Sequence, residues 1–415
     1  MRVYASDEMR LAKRHALVLL GASLALAACA SLSGLSGGVS DGGIGDAGHA
    51  DATVDGGRTR QDAAGADSQR ADAGQHDAGG PREATVSADA SCTHAAPVSP
   101  PAQVSPGGKT VNFVTALLAY TSGVTNSGDG GAVGFDLDQQ CTCPGPPSCN
   151  SASMATNCDV EPGGHDIVGN ALGALFDSQL GGTSEGDLNT RIATGRYNIV
   201  LDIEDYNGGA NDSDVLVGIL TSSGLGNDAG MPSFDGTDVW NIDPESTVGP
   251  VEGDAGAFTY TPRYYVSDAY VTNYVLVAHF SQVVVGLSVG TETLNGAILS
   301  ATIGKTATGL YTLNGQLAAR ITTASIFGLL GHLDYSDPDG GTHKLCGNDP
   351  VFQAAQQSVC AATDIMGLPS QDNTDAGCNA LSFAIGFNSI QAVLGPPMAT
   401  HYPLAGCDGG VVDCP

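Results

Sequence analysis

Beyond residue 108, apolar and polar residues alternate over many short stretches. "TVNFVTALLAY" (110–120), "GAVGFDLD" (131–138), "YNIVLDIEDY" (197–206), "SDVLVGILTSS" (213–223), "TNYVLVAHF" (272–280), "QVVVGLSVG" (282–290) and "LSFAIGF" (381–387) carry Val, Ile, Leu, Tyr and Phe close to a period of two. That period, broken by Gly, Asn and Asp, is the signature of half-buried strands joined by turns. In the last stretch Leu381, Phe383, Ile385 and Phe387 fall on one face. Helical spacing is rarer. "HDIVGNALGALFDSQL" aligns Ile167, Leu172, Leu175 and Phe176, and "LAARITTASIFGLLG" aligns Leu317, Ile321, Ala324 and Gly328. "NDPVFQAAQQSVCAATDIMG" offers Asp349 as N-cap, Pro350 at the first helical position and Gly367 past the end. "TETLNGAILSATIG" predicts two strands around an Asn-Gly turn. The pattern predicts a mainly β fold with helical decoration: a disulfide-rich antiparallel β-sandwich, jelly-roll-like, over residues 109–345. A cysteine-rich C-terminal portion, 346–415, is expected to pack on it.

The first 108 residues have neither period. An apolar run from Ala16 to Ala28 follows Arg10, Lys13, Arg14 and His15 and precedes small residues. A helix needs about 20 apolar residues to cross a bilayer, and this run is shorter, so residues 1–28 have the layout of a secretory signal peptide. Asp7 and Glu8 interrupt the basic region just before Met9, which makes Met9 the expected start. Leu26-Ala27-Ala28-Cys29 closes the run and resembles the lipobox of bacterial lipoproteins. The resemblance covers about the first thirty residues. It implies cleavage before Cys29 and acylation of Cys29, with two or more chains making a stable anchor. By the same resemblance, Ala30, where an aspartate would stand for inner-membrane retention, implies lipid anchoring in the outer membrane, on its periplasmic or cell-surface face. Residues 29–108 then read as the anchor cysteine and a disordered Gly/Ala/Asp/Pro-rich tether: "DAG" recurs at Asp46, Asp72 and Asp77, and almost no aromatic residue is present.

Charge and cysteine count narrow the partners. The chain has 15 Lys and Arg against 44 Asp and Glu, a formal net charge of −29. After Val111 the basic residues are Arg191, Arg196, Arg263, Lys305, Arg320 and Lys344, too dispersed to neutralise a phosphate backbone, so nucleic acid is not an expected partner. Setting Cys29 aside for lipid leaves ten of the 11 cysteines: Cys92, Cys141, Cys143, Cys149, Cys158, Cys346, Cys360, Cys378, Cys407 and Cys414. An even number in an exported chain predicts disulfides rather than a zinc knuckle at "CTCPGPPSC". Cys407 and Cys414 are spaced to close a small loop around "DGGVVD".

Three stretches suggest chemistry. "GLSVG", with Ser288 at its centre, matches the nucleophile-elbow pattern, and Ser288, His332 and Asp334 can be drawn as a triad. The helix such an elbow needs does not follow in the sequence. The acidic loops are a stronger signal. "DYSDPDGG" (Asp334, Asp337, Asp339) and "DIEDYNGGANDSD" (Asp202, Glu204, Asp205, Asp214) carry the hard oxygens that Ca2+ prefers, with Asp136 and Asp138 of "GFDLD" as further acids. The same residues also make ordinary turns. Tyr260, Tyr264 and Tyr265, in a tyrosine-rich stretch beside Arg263, suggest a face for a surface glycan or a protein ligand. Together these features favour a membrane-anchored, exported lipoprotein with a tethered β-rich binding or structural module stabilised by calcium. The alternative is an exported hydrolase with an unrecognised active site.

Overall fold

A computed structural model of the chain describes residues 93–94, 96–102, 107–119, 133–140, 148–151, 165–166, 171–172, 175, 183–226, 230–249, 252–254, 257–287, 290–332, 334–336, 342–347, 349–372, 375–399, 407 and 414. In chain order the elements are β1 (Thr93–His94), β2 (Lys109–Ala119), β3 (His165–Asp166), α1 (Thr183–Ala193), β4 (Asn198–Tyr206), β5 (Asp212–Leu225), β6 (Val239–Ile242), β7 (Glu252–Asp254), β8 (Ala257–Thr259), β9 (Tyr264–Thr272), β10 (Val275–Leu287), β11 (Gly290–Lys305), β12 (Tyr311–Thr322), α2 (Thr323–Leu330), β13 (Asp334–Ser336), β14 (Thr342–Lys344), α3 (Pro350–Ala361), β15 (Ala380–Gln391) and β16 (Val393–Pro397).

Eight strands hydrogen-bond in the order β5-β4-β2-β15-β12-β11-β10-β9, and β9 pairs back to β5 through Val217↔Val266 and Ile219↔Tyr264. All eight pairings are antiparallel. The result is one closed barrel where the sequence pattern suggested two facing sheets. Closure has a physical cause. Strands of 9 to 16 residues twist strongly, and bulges in β2, β5 and β11 add curvature until the two edges meet. Closure also gives the edge N–H and C=O groups partners. Gly296, at φ +54, sits at the β11 bulge. The expected Asn-Gly turn there is therefore a bulge within a single continuous strand. The last barrel strand to form in sequence, β15, bridges β12 and β2, so segment 346–415 supplies a stave as well as α3.

Inward positions are filled. Leu276, Ala278, Phe280, Leu299, Ala301, Leu313, Ala319, Leu381, Phe113, Leu201, Ile203, Val217 and Val271 belong to one continuous buried cluster. Each fully buried large side chain stabilises the fold by about 1.5–3 kcal/mol, so the barrel interior is the core. Outward positions of β10 to β12 include the polar Gln282, Ser300, Thr302, Asn314 and Gln316 together with the apolar Val277, Ile298 and Ala318.

Two sections of outer wall are covered. β6 and β16 extend the sheet from β5. With Tyr260 they lay Trp240, Ile242 and Leu394 over Val114, Val200 and Leu220. A strap, residues 133–140, packs Val133 and Phe135 on Ala318 and Ala384. Residues 133–138 of "GAVGFDLD" are thus a covering segment, not a strand. α2 carries Ile326 and Phe327 into the core, where the Phe327 ring meets Phe352 of α3 at 5.9 Å. α3 begins as expected: Asp349 accepts from the N–H groups of Val351 and Phe352, with Pro350 in the first turn. It stops at Ala361, before Gly367, because Ile365 pairs with Ala380. α1 was not anticipated, since Leu188 and Ile192 are too few apolar residues to show a stripe. Disulfides join Cys149–Cys378, Cys346–Cys407 and Cys360–Cys414. The Cys407–Cys414 loop expected from spacing is not formed; each sulfur reaches back to the helical end of the fold.

Candidate functional site

The barrel parts locally between β5 and β10. β9 hydrogen-bonds to β10 only across Tyr270–Thr272, and its ladder with β5 begins at Tyr264↔Ile219. Past Ile219 on β5 the seam is bridged by Gly286 N–H donating to Thr221 Oγ1 at 3.1 Å. The opening is a cleft of about 350 Å³ lined by Thr221, Asp243, Glu245, Ser246, Arg263, Tyr264, Val284, Gly286 and Thr291.

One wall of the cleft is a short 3₁₀ turn, Pro244–Ser246, fixed by local bonds. Buried Asp243 caps it by accepting from Glu245 N–H at 3.0 Å. Asp243 N–H donates to Thr221 C=O at 2.9 Å, and Arg263 N–H donates to Ser246 C=O at 2.9 Å. Arg263 Nη2 also donates to Thr247 C=O at 3.1 Å. The turn is thereby tied to β5 on one side and to the start of β9 on the other. Glu245 and Arg263 remain exposed at the rim, and Tyr264 is half-buried against the barrel core. A carboxylate, a guanidinium, hydroxyls and one flat ring converge on a pinned frame. Such a set binds a polar ligand by hydrogen bonds and stacking.

The predicted tyrosine face divides. Neighbouring strand residues point to opposite sides, so Tyr264 faces the cleft and core while Tyr265 stands 51% exposed on the outside. Tyr260 is buried in the outer cluster, its hydroxyl donating to Gly395 C=O at 2.6 Å, and burial pushes the phenol up to about 12.

The acidic stretch after β4 also divides. Asn207 Oδ1 accepts from Gly209 N–H, Asn207 Nδ2 donates to Asn211 C=O, and Asp212 Oδ2 accepts from Asn207 N–H. Those bonds make residues 207–212 a self-satisfied turn, organised by Asp212. Asp205 and Asp214 are exposed on either side of it. Asp202 and Glu204 lie instead on the outward face of β4, where Asp202 is 2% exposed. Asp334 opens β13. Asp337, Asp339, Ser288, Cys29, Cys92, Cys141, Cys143 and Cys158 lie outside the described residues. Among the described residues no group of three or more His, Cys, Asp or Glu side chains is gathered to hold a metal.

Sequence reasoning missed two buried polar groups. Arg320, 1% exposed on the outer wall, donates to Asp372, Met366 C=O and Leu137 C=O, with Asp138 and Asp364 nearby. Its signal was a single cation inside the apolar run "LAARI". Glu292, 4% exposed, accepts from Ser325 Oγ beneath α2, and burial pushes it up to about 7. Nothing in the local pattern around "TETL" marks it as buried. No protein-family model matches the chain, and neither a curated protein nor a solved structure does.

Proposed function

We propose that this chain is an exported lipoprotein, anchored through Cys29 to the outer membrane and carrying a tethered barrel that binds a surface glycan. The observation that carries the reading is the pinned cleft, in which Tyr264 offers a ring while Glu245, Arg263, Ser246 and Thr291 surround it with hydrogen-bonding groups. Sugars are recognised by that combination of a flat apolar face and polar handles. The three disulfides among the described residues suit an oxidising, exported location.

A defined array of mono- to tetrasaccharides, together with purified envelope polysaccharide, tests the cleft. Tyr264→Ala and Arg263→Ala should each abolish retention, while Tyr260→Phe, which does not line the cleft, should leave it intact. Absence of saccharide binding by the folded chain, or binding indifferent to Tyr264, would overturn the glycan reading. Mass spectrometry of protein from its native host checks the anchor: the mature N-terminus should be an acylated Cys29.

A further inference from the structure

Asp202 is a buried acid with one carboxyl oxygen that finds no hydrogen-bond partner among the described residues. It lies on the outer wall of the barrel, directly opposite Asn112 of β2 and Gly218 of β5. Cross-strand partners share a face with their Cβ atoms about 4.5–5.5 Å apart. Gly218 contributes no side chain, and the Pro262 ring takes that space: a Cβ on Gly218 would stand 2.2 Å from Pro262 Cγ. Glu204, two residues on and facing the same way, is half-exposed and hydrogen-bonded to the Asp202 carboxyl. Two oxygens at this place, Asp202 Oδ1 and Asn112 Oδ1, are buried without a hydrogen-bond partner among the described residues. A buried acceptor with no donor costs on the order of 1–3 kcal/mol, and more for a charged group. Here two such acceptors and a second carboxylate share one patch.

We propose that Asn112, Asp202 and Glu204 form a divalent-cation site on the barrel wall, with Ca2+ as the ion. The donor set is all hard oxygen, which is what Ca2+ selects over softer ligands, and half-exposed Glu204 leaves a side open for the waters that complete six to eight ligands. Asp205 and Asp214 have no part in the site. The inference is independent of the glycan reading, because none of the three residues lines the cleft.

Calorimetric titration of CaCl2 into the full chain, at fixed ionic strength in NaCl, tests this. One ion per chain is expected, with Kd of about 10⁻⁴–10⁻³ M at pH 7.5, the range of extracellular modules. Asp202→Asn and Glu204→Gln should each weaken binding at least tenfold, and Asp205→Asn with Asp214→Asn should leave it unchanged. Binding that survives Asp202→Asn and Glu204→Gln, or no saturable binding by the unmodified chain at millimolar CaCl2, would each overturn the site. Glu204→Gln, at a half-exposed position, carries the test if Asp202→Asn fails to fold.

Discussion

Arg320 donates both terminal guanidinium nitrogens to the carboxylate of Asp372, each at 2.7 Å, although 52 residues separate them. The pair is nearly solvent-free, with side-chain exposures of 1% and 8%. It fixes the strap through Arg320 and Leu137 C=O, and the segment after α3 through Met366 C=O. Removing one partner strands a buried charge, which costs about 3–5 kcal/mol. Asp372→Ala should therefore lower unfolding free energy by about that amount in urea titrations. Arg320→Leu combined with Asp372→Leu should lose less than Asp372→Ala alone, because no unpaired charge remains.

Acid should stabilise the fold. Burial pushes Asp138 and Asp364 up to about 6, Glu292 to about 7 and Asp202 to about 8. In the unfolded chain such groups titrate near 4. Between the two values the folded state binds more protons, so stability is fully present below about pH 4 for these groups and is lost as pH rises through 6 to 8. Relief of repulsion within a chain of net charge −29 acts in the same direction. Melting temperatures measured in EDTA should be higher at pH 5 than at pH 8. A melting temperature that climbs across that interval would contradict the burial of these carboxyls.

Glu292 isolates one contribution. Glu292→Gln retains the shape and the contact with Ser325 but removes a charge that must be buried at high pH. The variant should melt higher than the parent at pH 8 and close to it at pH 5. An equal loss at both pH values would mean that the carboxyl serves packing alone.

Peptide mapping without reduction should recover the Cys346–Cys407 and Cys360–Cys414 links and no Cys407–Cys414 link. Cys149→Ser with Cys378→Ser opens a crosslink spanning 229 residues. Its loss should cost about 2–5 kcal/mol, read from denaturant midpoints.

Much of the local structure was legible in the residues themselves. A period of two places Leu381, Phe383, Ile385 and Phe387 on one face wherever the strand ends up, and Asp349 followed by Pro350 starts a helix through its own side chain and fixed φ. Those signals act over a few residues. Sheet closure does not: the β5–β9 pairing is made by backbone groups that every residue carries, so no composition marks β9 as the strand that returns to β5. "LAARITTASIFGLLG" shows the same limit. Its apolar spacing suits one helix, yet Arg320 and Ile321 join the β12 ladder and only Thr323 onward coils, because pairing with β15 outweighs local preference.

The sequence by itself determined that residues after 108 form strands with buried and solvated faces, that few helices accompany them, and that its cysteines suit disulfides. Tertiary structure alone decided which cysteines meet, which acids are buried and where a cleft opens. Thr221, Glu245, Arg263 and Thr291 are remote along the chain and come together only because β5 and β10 part where β9 has yet to begin. Likewise Asp202 and Asp205 are nearly adjacent in one acidic stretch, yet the first is buried within the sheet opposite Gly218, where Pro262 packs, and the second is exposed at the strand's end. The burial that sets a carboxyl's chemistry comes from neighbours the local sequence does not contain.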